Sequence, residues 1–330
     1  MKEIDLEIAD LKFPLPSSVL KELRKEVLRI NYYPSGNYPE LKKAFCDYMG
    51  PKTALGPENV VFGNGLDEII DLITRVWGDF TLIPVPTFSQ YFQAACRSNQ
   101  KIIKVNMMRK GSYVFNYDKS LLKKASLVWI CNPNNPTGDL IPREKIEEVI
   151  DSSVGMVAVD ECYFEYTGKT VLDLVNECKN LIVLRSFSKN FGIAGLRLGA
   201  AISSPENIKK IERIRQPFNV NRMAEKAGTI VLKHKKEFKK IWAEVLRIGR
   251  KFSAGVEKMG YRTFDVNANF VLVDFSSESK AREIFEKLSK NRIKACPGWS
   301  DEFEGELDNC IRFAIGGEKD MERVLDVLRH

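Results

Sequence analysis

From residue 59 onward, short apolar runs alternate with amphipathic stretches. VVF (60–62), FTLIP (80–84), KIIKV (101–105), LVWIC (127–131), MVAVD (156–160), NLIVLRS (180–186) and LGAAI (198–202) read as strands. Between them LDEIIDLITRVW (66–77), residues 88–96, 143–150 and 205–215 carry helical spacing. Runs that are apolar throughout, separated by helices, predict an α/β fold: a mostly parallel sheet with helices on both faces. Ligands of such sheets sit beyond the carboxyl ends of the strands. The polar clusters of this chain fall there: GNG after VVF, NPNNPTG after LVWIC, DECY at the end of MVAVD, and RSFSK after NLIVL.

The two ends of the chain follow another pattern. Residues 1–30 begin extended, break at Pro14 and Pro16, and continue as a helix over 18–30 with Ser17 or Ser18 as its cap. Tyr33-Pro34-Ser35-Gly36 reads as a turn, and Pro39 as a helix start. One long helical stretch, 222–259, precedes NFVLVDF (269–275), a helix over 277–290, the strand CIRFAIG (310–316) and a closing helix. This predicts a smaller α+β unit that takes in the N-terminal residues. The expected division is a large domain of residues 31–245 and a small domain of 1–30 with 246–330.

Composition narrows the function classes. The chain has 330 residues, 44% hydrophobic and 29% charged. That length suits two domains. No basic-then-apolar leader and no membrane-length apolar run is present, so a cytoplasmic protein with no membrane partner is expected. The seven cysteines are odd in number and form no CxxC, which fits free thiols in a reducing compartment. With only two histidines, His234 and His330, zinc sites and histidine-based triads are disfavoured, and no metal is expected. The net charge is +7, and its densest run, KHKKEFKK (233–240), has the spacing of a solvated helix face. No nucleic-acid partner is expected.

Four polar clusters carry candidate chemistry. CNPNNPTG (131–138) forces a rigid, non-helical loop that can aim an asparagine amide. Asp160 closes an apolar strand, where a carboxylate has to be solvated, paired or set against a cation. GNGLDE (63–68) turns into a helix N-terminus, a natural seat for phosphate, without the third glycine of the dinucleotide fingerprint. In RSFSKNFGIAGLRLG (185–199), Lys189 follows a buried strand and Arg197 lies eight residues on. Each cluster alone also has a plain structural reading as a turn, a strand end or a surface charge.

Taken together they carry a resemblance. YPSGNYPELK, GNGLDE, PTFSQY, NPNNPTG, VDECYFEY, RSFSKNFGIAGLRLG, PFNVN, ANFVLV and IRFAIG occur in the order of the pyridoxal-phosphate (PLP) enzymes of fold type I, the aspartate-aminotransferase superfamily. The chain looks most similar to the histidinol-phosphate aminotransferase branch. The resemblance implies PLP as cofactor and Lys189 as the lysine that holds it as an imine and moves the proton. It implies Asp160 as partner of the pyridine nitrogen, and Asn135 and Tyr163 as partners of the ring's phenolic oxygen. Phe88 takes the place of the aromatic that stacks on the ring. Ser186, Ser188, Arg197 and the amides near Leu66 and Asp67 take that of the phosphate cradle. Tyr33 occupies the position of a tyrosine lent across a homodimer interface, and Arg312 that of the arginine receiving the substrate's acidic end; Asn135 and Tyr33 would also face the substrate.

Two segments depart from the branch. ADLKFPLP (9–16) lacks its usual asparagine, and Cys296 stands where a second phosphate-binding arginine is usual. Loss of a bidentate arginine bears on recognition of a phosphate dianion. The expected reaction is transamination between histidinol phosphate and 2-oxoglutarate, in histidine biosynthesis. An aminotransferase for aromatic or acidic amino acids and a threonine-phosphate decarboxylase remain open. A non-catalytic binding protein is disfavoured by the presence of Lys189, Asp160 and Arg197 together.

Overall fold

The computed structural model describes residues 2–50, 53–305 and 307–329; His330 lies outside them. Its larger sheet has seven strands in the order Val60–Asn64, Leu198–Ser203, Leu181–Ser186, Met156–Asp160, Leu127–Cys131, Phe80–Val85 and Lys101–Asn106. All pairings are parallel except the two made by Leu198–Ser203. The α/β reading with a mostly parallel sheet holds. The central strands are buried along their whole length, as sheets covered on both faces require. Each buried Val, Leu or Ile there contributes about 1.5–3 kcal/mol. That block fixes the register in which Cys131, Asp160 and Leu184 lie side by side.

The reversed strand has a consequence for the site. A parallel strand presents its last residues at the carboxyl edge, whereas Leu198–Ser203 presents its first. Arg197 therefore arrives at the same edge as Asp160 and Ser186 although it precedes its strand.

The smaller sheet runs Ile4–Leu6, Ile293–Pro297, Cys310–Ala314, Phe270–Asp274, Arg262–Thr263. Ile4–Leu6 pairs in parallel with Ile293–Ala295, so this N-terminal strand shares a sheet with the C-terminal segment. The 131–138 loop docks on the entry to this sheet. The Gly138 carbonyl accepts from Asn267 Nδ2 at 3.0 Å. Gly138 has φ +76, and a Cβ there would lie 2.1 Å from the Asp265 carbonyl oxygen, so only glycine fits.

Two local expectations need correction. The first helix is Ser17–Val27, not 18–30, and neither serine caps it. Pro16 holds the cap position and its carbonyl accepts from the Leu20 N–H at 3.0 Å. Ser18 Oγ is drawn away to Glu237 Oε1 at 2.7 Å. The stretch 222–259 is two helices, Arg222–Lys233 and Lys235–Glu257. They break at His234, whose ring bridges Glu22 and Glu237 at 2.6 and 2.8 Å. No glycine or proline marks that break in sequence. In KHKKEFKK the face of Lys233, Lys236, Lys239 and Lys240 is exposed, while Phe238 on the opposite side is buried against Phe191 and Trp242.

The seven cysteines are free thiols. No helix among the described residues is long and apolar enough to cross a membrane.

Candidate active site

A cavity of about 170 Å³ opens at the carboxyl edge of the large sheet. Lys189, Asp160, Tyr163, Asn135, Phe88, Leu66, Asp67, Ser186, Ser188 and Arg197 all line it. The pieces named from four separated sequence clusters thus meet in one place. Sheet register explains it: Asp160 is level with Cys131 on one side and Leu184 on the other, so residues 132–135 and 186–189 emerge from adjacent strand ends.

Asp160 is 3% exposed. Its Oδ2 accepts from the Tyr91 hydroxyl at 2.7 Å and its Oδ1 from the Cys162 N–H at 2.9 Å. Burial pushes its pKa up to about 6, against the pull of these two hydrogen bonds. A carboxyl so placed is poised to pair with a cation brought into the cavity. Tyr91 is itself fixed by stacking on Trp129, with centroids 4.6 Å apart at 13°. Phe88 meets Tyr91 edge-on at 5.9 Å.

Opposite chemistry gathers at Arg197. Helix Gly65–Trp77 begins here, so its first N–H groups and the positive end of its dipole face the cavity edge. Arg197 Nη2 donates to Asp67 Oδ2 at 2.6 Å. Gly65 has φ +79, and a Cβ on it would lie 2.5 Å from Arg197 Nη2. The guanidinium can lie against the helix start only because that position is glycine. Arg197 is itself held at φ +56, a conformation that costs a non-glycine residue about 1–3 kcal/mol and concentrates at functional sites. With the Ser186 and Ser188 hydroxyls, this is a set of donors around one end of the cavity. The Ser188 N–H donates to Ser186 Oγ at 3.1 Å, which holds the turn closed.

Lys189 follows this turn. Its backbone carbonyl accepts from the Tyr166 hydroxyl at 2.7 Å, so the segment is anchored while the side chain remains in the cavity. Tyr163 is buried and lies edge-on to Phe270 of the small sheet at 5.3 Å. Burial holds its phenol well above the ordinary range.

Two predicted residues lie outside the cavity lining. Tyr33 is 80% exposed and lies against Phe218, with centroids 5.2 Å apart. Arg312 is fully buried in the small sheet. Its Nη1 donates to Asn135 Oδ1 at 2.8 Å, so it touches the site through a cavity residue. Its remaining bonds go to Glu302, from Nη1 at 2.5 Å and from Nη2 at 3.0 Å, and to the Glu7 carbonyl at 2.9 Å.

Residues 2–328 match the family of aminotransferase class I and II. The chain belongs to this family. The aminotransferase is 35% identical over 301 residues to a histidinol-phosphate aminotransferase of Desulfitobacterium hafniense, covering 87% of this chain and 81% of that protein. It is also similar to the histidinol-phosphate aminotransferase of Clostridium acetobutylicum, whose crystal structure superposes with a TM-score of 0.89 at 27% identity over 99% and 98% of the two chains. L-threonine-O-3-phosphate decarboxylase from Porphyromonas gingivalis shares the fold at a TM-score of 0.85 and 20% identity, covering 99% of this chain and 98% of that one. Fold likeness therefore does not separate the two reactions.

Sequence reasoning missed four residues at or beside the aminotransferase's site. Tyr91 lies in PTFSQY, three residues after Phe88, in a motif that drew attention to Phe88 alone; Phe88 is in a short strand and the helix carrying Tyr91 is Gln90–Arg97, not 88–96. Cys131 and Cys162 also line the cavity, beside motifs that drew attention to their neighbours. Glu302 had no signal: it reads as one more acid in a polar loop.

Proposed function

We propose that the protein is a PLP-dependent aminotransferase that transfers the amino group of histidinol phosphate to 2-oxoglutarate. One observation carries the cofactor: Asp160, Lys189 and the Ser186–Ser188–Arg197 donor set line a single small cavity. The residues fit PLP. A buried carboxyl suits a protonated ring nitrogen, the Ser186, Ser188 and Arg197 donors beside a helix N-terminus suit a phosphate, and Phe88 supplies an aromatic face. Bound there, PLP supplies the electron-withdrawing ring that lowers the cost of removing a proton from the substrate's α-carbon. Lys189 is the amine that takes that proton and returns it. Asp160 keeps a positive charge on the ring nitrogen. Asn135 and Tyr163 hydrogen-bond the phenolic oxygen. Arg312 receives the acidic end of the substrate, and the curated relatives' activity supports histidinol phosphate as donor.

Cys296 favours a second reading. It lies opposite Arg312 in the small sheet, where the branch has a further arginine. One guanidinium suits a carboxylate as well as a phosphate, so an aromatic or acidic amino acid is the rival donor. The PLP-loaded protein offered histidinol phosphate, phenylalanine, aspartate and threonine phosphate, each with 2-oxoglutarate, is expected to form glutamate with histidinol phosphate alone. Glutamate from phenylalanine or aspartate instead would establish the second reading. Carbon dioxide from threonine phosphate without glutamate would replace both with a decarboxylase.

The same reading includes a cytoplasmic homodimer with Tyr33 lent to the partner's site. Val27, Leu28, Ile30, Tyr32 and Tyr33 are exposed within one short segment, and exposed Phe218 lies against Tyr33, which suits an interface. The seven-stranded sheet lies wholly within 31–245 and the five-stranded sheet wholly within 1–30 and 246–330, which supports that division; the pair Phe303–Glu304 with Thr87–Phe88 links the two units. Tyr33→Phe protein mixed with Lys189→Ala protein is expected to recover activity, because one site of the mixed dimer then holds both native residues. No recovery despite confirmed subunit exchange would count against a shared site.

A further inference from the structure

Arg312 is the deepest cation near the site, and an internal acid already occupies it. Glu302 accepts from Nη1 and Nη2 at 2.5 and 3.0 Å, a bidentate pair. The guanidinium lies between the rings of Phe270 and Phe303, 5.4 and 4.9 Å from their centroids. Burial works against its charge; Glu302, together with Cys296 and Tyr163, offsets that, and the pKa stays raised. Cys296 completes the arrangement. Its thiol, pushed by burial to about 11, donates to Glu302 Oε2 at 3.4 Å. Ser300 Oγ lies 3.3 Å from Cys296 Sγ and accepts from the Glu302 N–H at 3.2 Å. The cysteine that replaces an arginine thus serves to hold the acid that neutralises the remaining one.

Glu302 is less deeply placed than its partner. Its side chain is 28% exposed against none for Arg312. It sits in a loop tied to the cavity wall: the Ser89 N–H donates to its carbonyl at 3.0 Å, and Phe303 and Glu304 pair with Phe88 and Thr87. Rotation of one side chain toward solvent would free the guanidinium without unpairing that wall.

We infer that Glu302 is a specificity-determining residue, an internal carboxylate that occupies the anion subsite of Arg312 and has to be displaced by the acidic end of each substrate. This rests on the aminotransferase reading, in which at least the 2-oxo acid must bring a carboxylate to the site. A substrate carboxylate and Glu302 cannot share the same two guanidinium nitrogens. The affinity for every anion is therefore reduced by the fraction of molecules in which Arg312 is free. With that fraction at roughly 1–10%, the reduction is about 10- to 100-fold. Selection follows, because a weak or misplaced anion does not overcome the internal competitor.

The test uses PLP-loaded protein, with succinate and inorganic phosphate as unreactive anions titrated by calorimetry. Glu302→Gln keeps the shape and removes the charge. It is expected to bind succinate about 10-fold tighter or more and to lower KM for 2-oxoglutarate by a similar factor. Cys296→Ala, which only loosens the hold on Glu302, is expected to shift both constants the same way by less, and it carries the test if Glu302→Gln does not fold. Unchanged or weaker succinate binding in the variants would overturn the proposal and leave Glu302 as a brace for Arg312. Failure of the underlying reading looks different: the unaltered protein would then form no glutamate from any donor.

Discussion

Lys189→Ala is expected to lower turnover by at least about 10⁴-fold while leaving the fold intact. The two halves of that statement come from different atoms of one residue. The segment is anchored by its backbone, through the Lys189 carbonyl and the Tyr166 hydroxyl, and alanine keeps that bond. The side-chain amine projects into the cavity and is the group there suited to carry a proton at the substrate's α-carbon. Cys131 and Cys162 are held protonated, their thiols raised by burial, and Asp160 is engaged by Tyr91 and Cys162. None of these takes over the task. The variant is expected to retain PLP loosely through the Ser186–Ser188–Arg197 corner and to lose the absorbance of lysine-linked cofactor. Absorbance spectra, a thermal melt and single-turnover rates separate these outcomes. Retained turnover with an intact fold would remove Lys189 from the mechanism.

The residues of this site were legible to unequal degrees, for physical reasons. Asp160, Ser186 and Asn135 follow strands apolar enough to be read as fully buried, so their place at a sheet edge was determined by pattern alone. Arg197 was harder, since nothing in LGAAI says that its strand runs backwards. Only the pairing with Val60–Asn64 and Leu181–Ser186 shows it. Lys189 read as a surface charge until its neighbours were considered with it. Tyr91 was hidden because a tyrosine on an amphipathic helix is ordinarily core, and its bond to Asp160 spans 69 positions. Glu302 was invisible in principle. Its meaning depends on a guanidinium that only strand pairing brings beside Cys296. The role proposed for Tyr33 involves a second copy, which no single chain displays. The break at His234 escaped because no glycine or proline marks it, and one of the two carboxylates its ring bridges, Glu22, lies 212 positions away.

Asp160→Asn is expected to stabilise the cofactor-free protein and disable the enzyme together. With its pKa raised from 3.8 to about 6 by burial, Asp160 is more readily neutral in the folded chain than in the unfolded one. Its favourable contribution is whole below about pH 4 and is lost as pH rises through 6. Above that, holding the charge inside costs roughly 3 kcal/mol at 1.36 kcal/mol per unit. Asparagine has no such charge, its carbonyl can still accept from the Cys162 N–H, and the Tyr91 hydroxyl can turn to accept from its amide. Denaturant titrations of apoprotein are expected to show the variant more stable at pH 8 by up to that amount, with the gain shrinking toward pH 4. A gain independent of pH, or a loss at pH 8, would contradict the assignment. With PLP the order reverses. The ionised carboxylate that costs stability is the partner of the ring's positive nitrogen, so turnover is expected to fall roughly 10²- to 10³-fold. PLP affinity of the native apoprotein is expected to weaken below pH 6, where Asp160 must first give up its proton, and that dependence is expected to vanish in the variant. The fold bears a destabilised carboxylate at the end of its most buried strand block because only an ionisable group there can be drawn into charge by the cofactor.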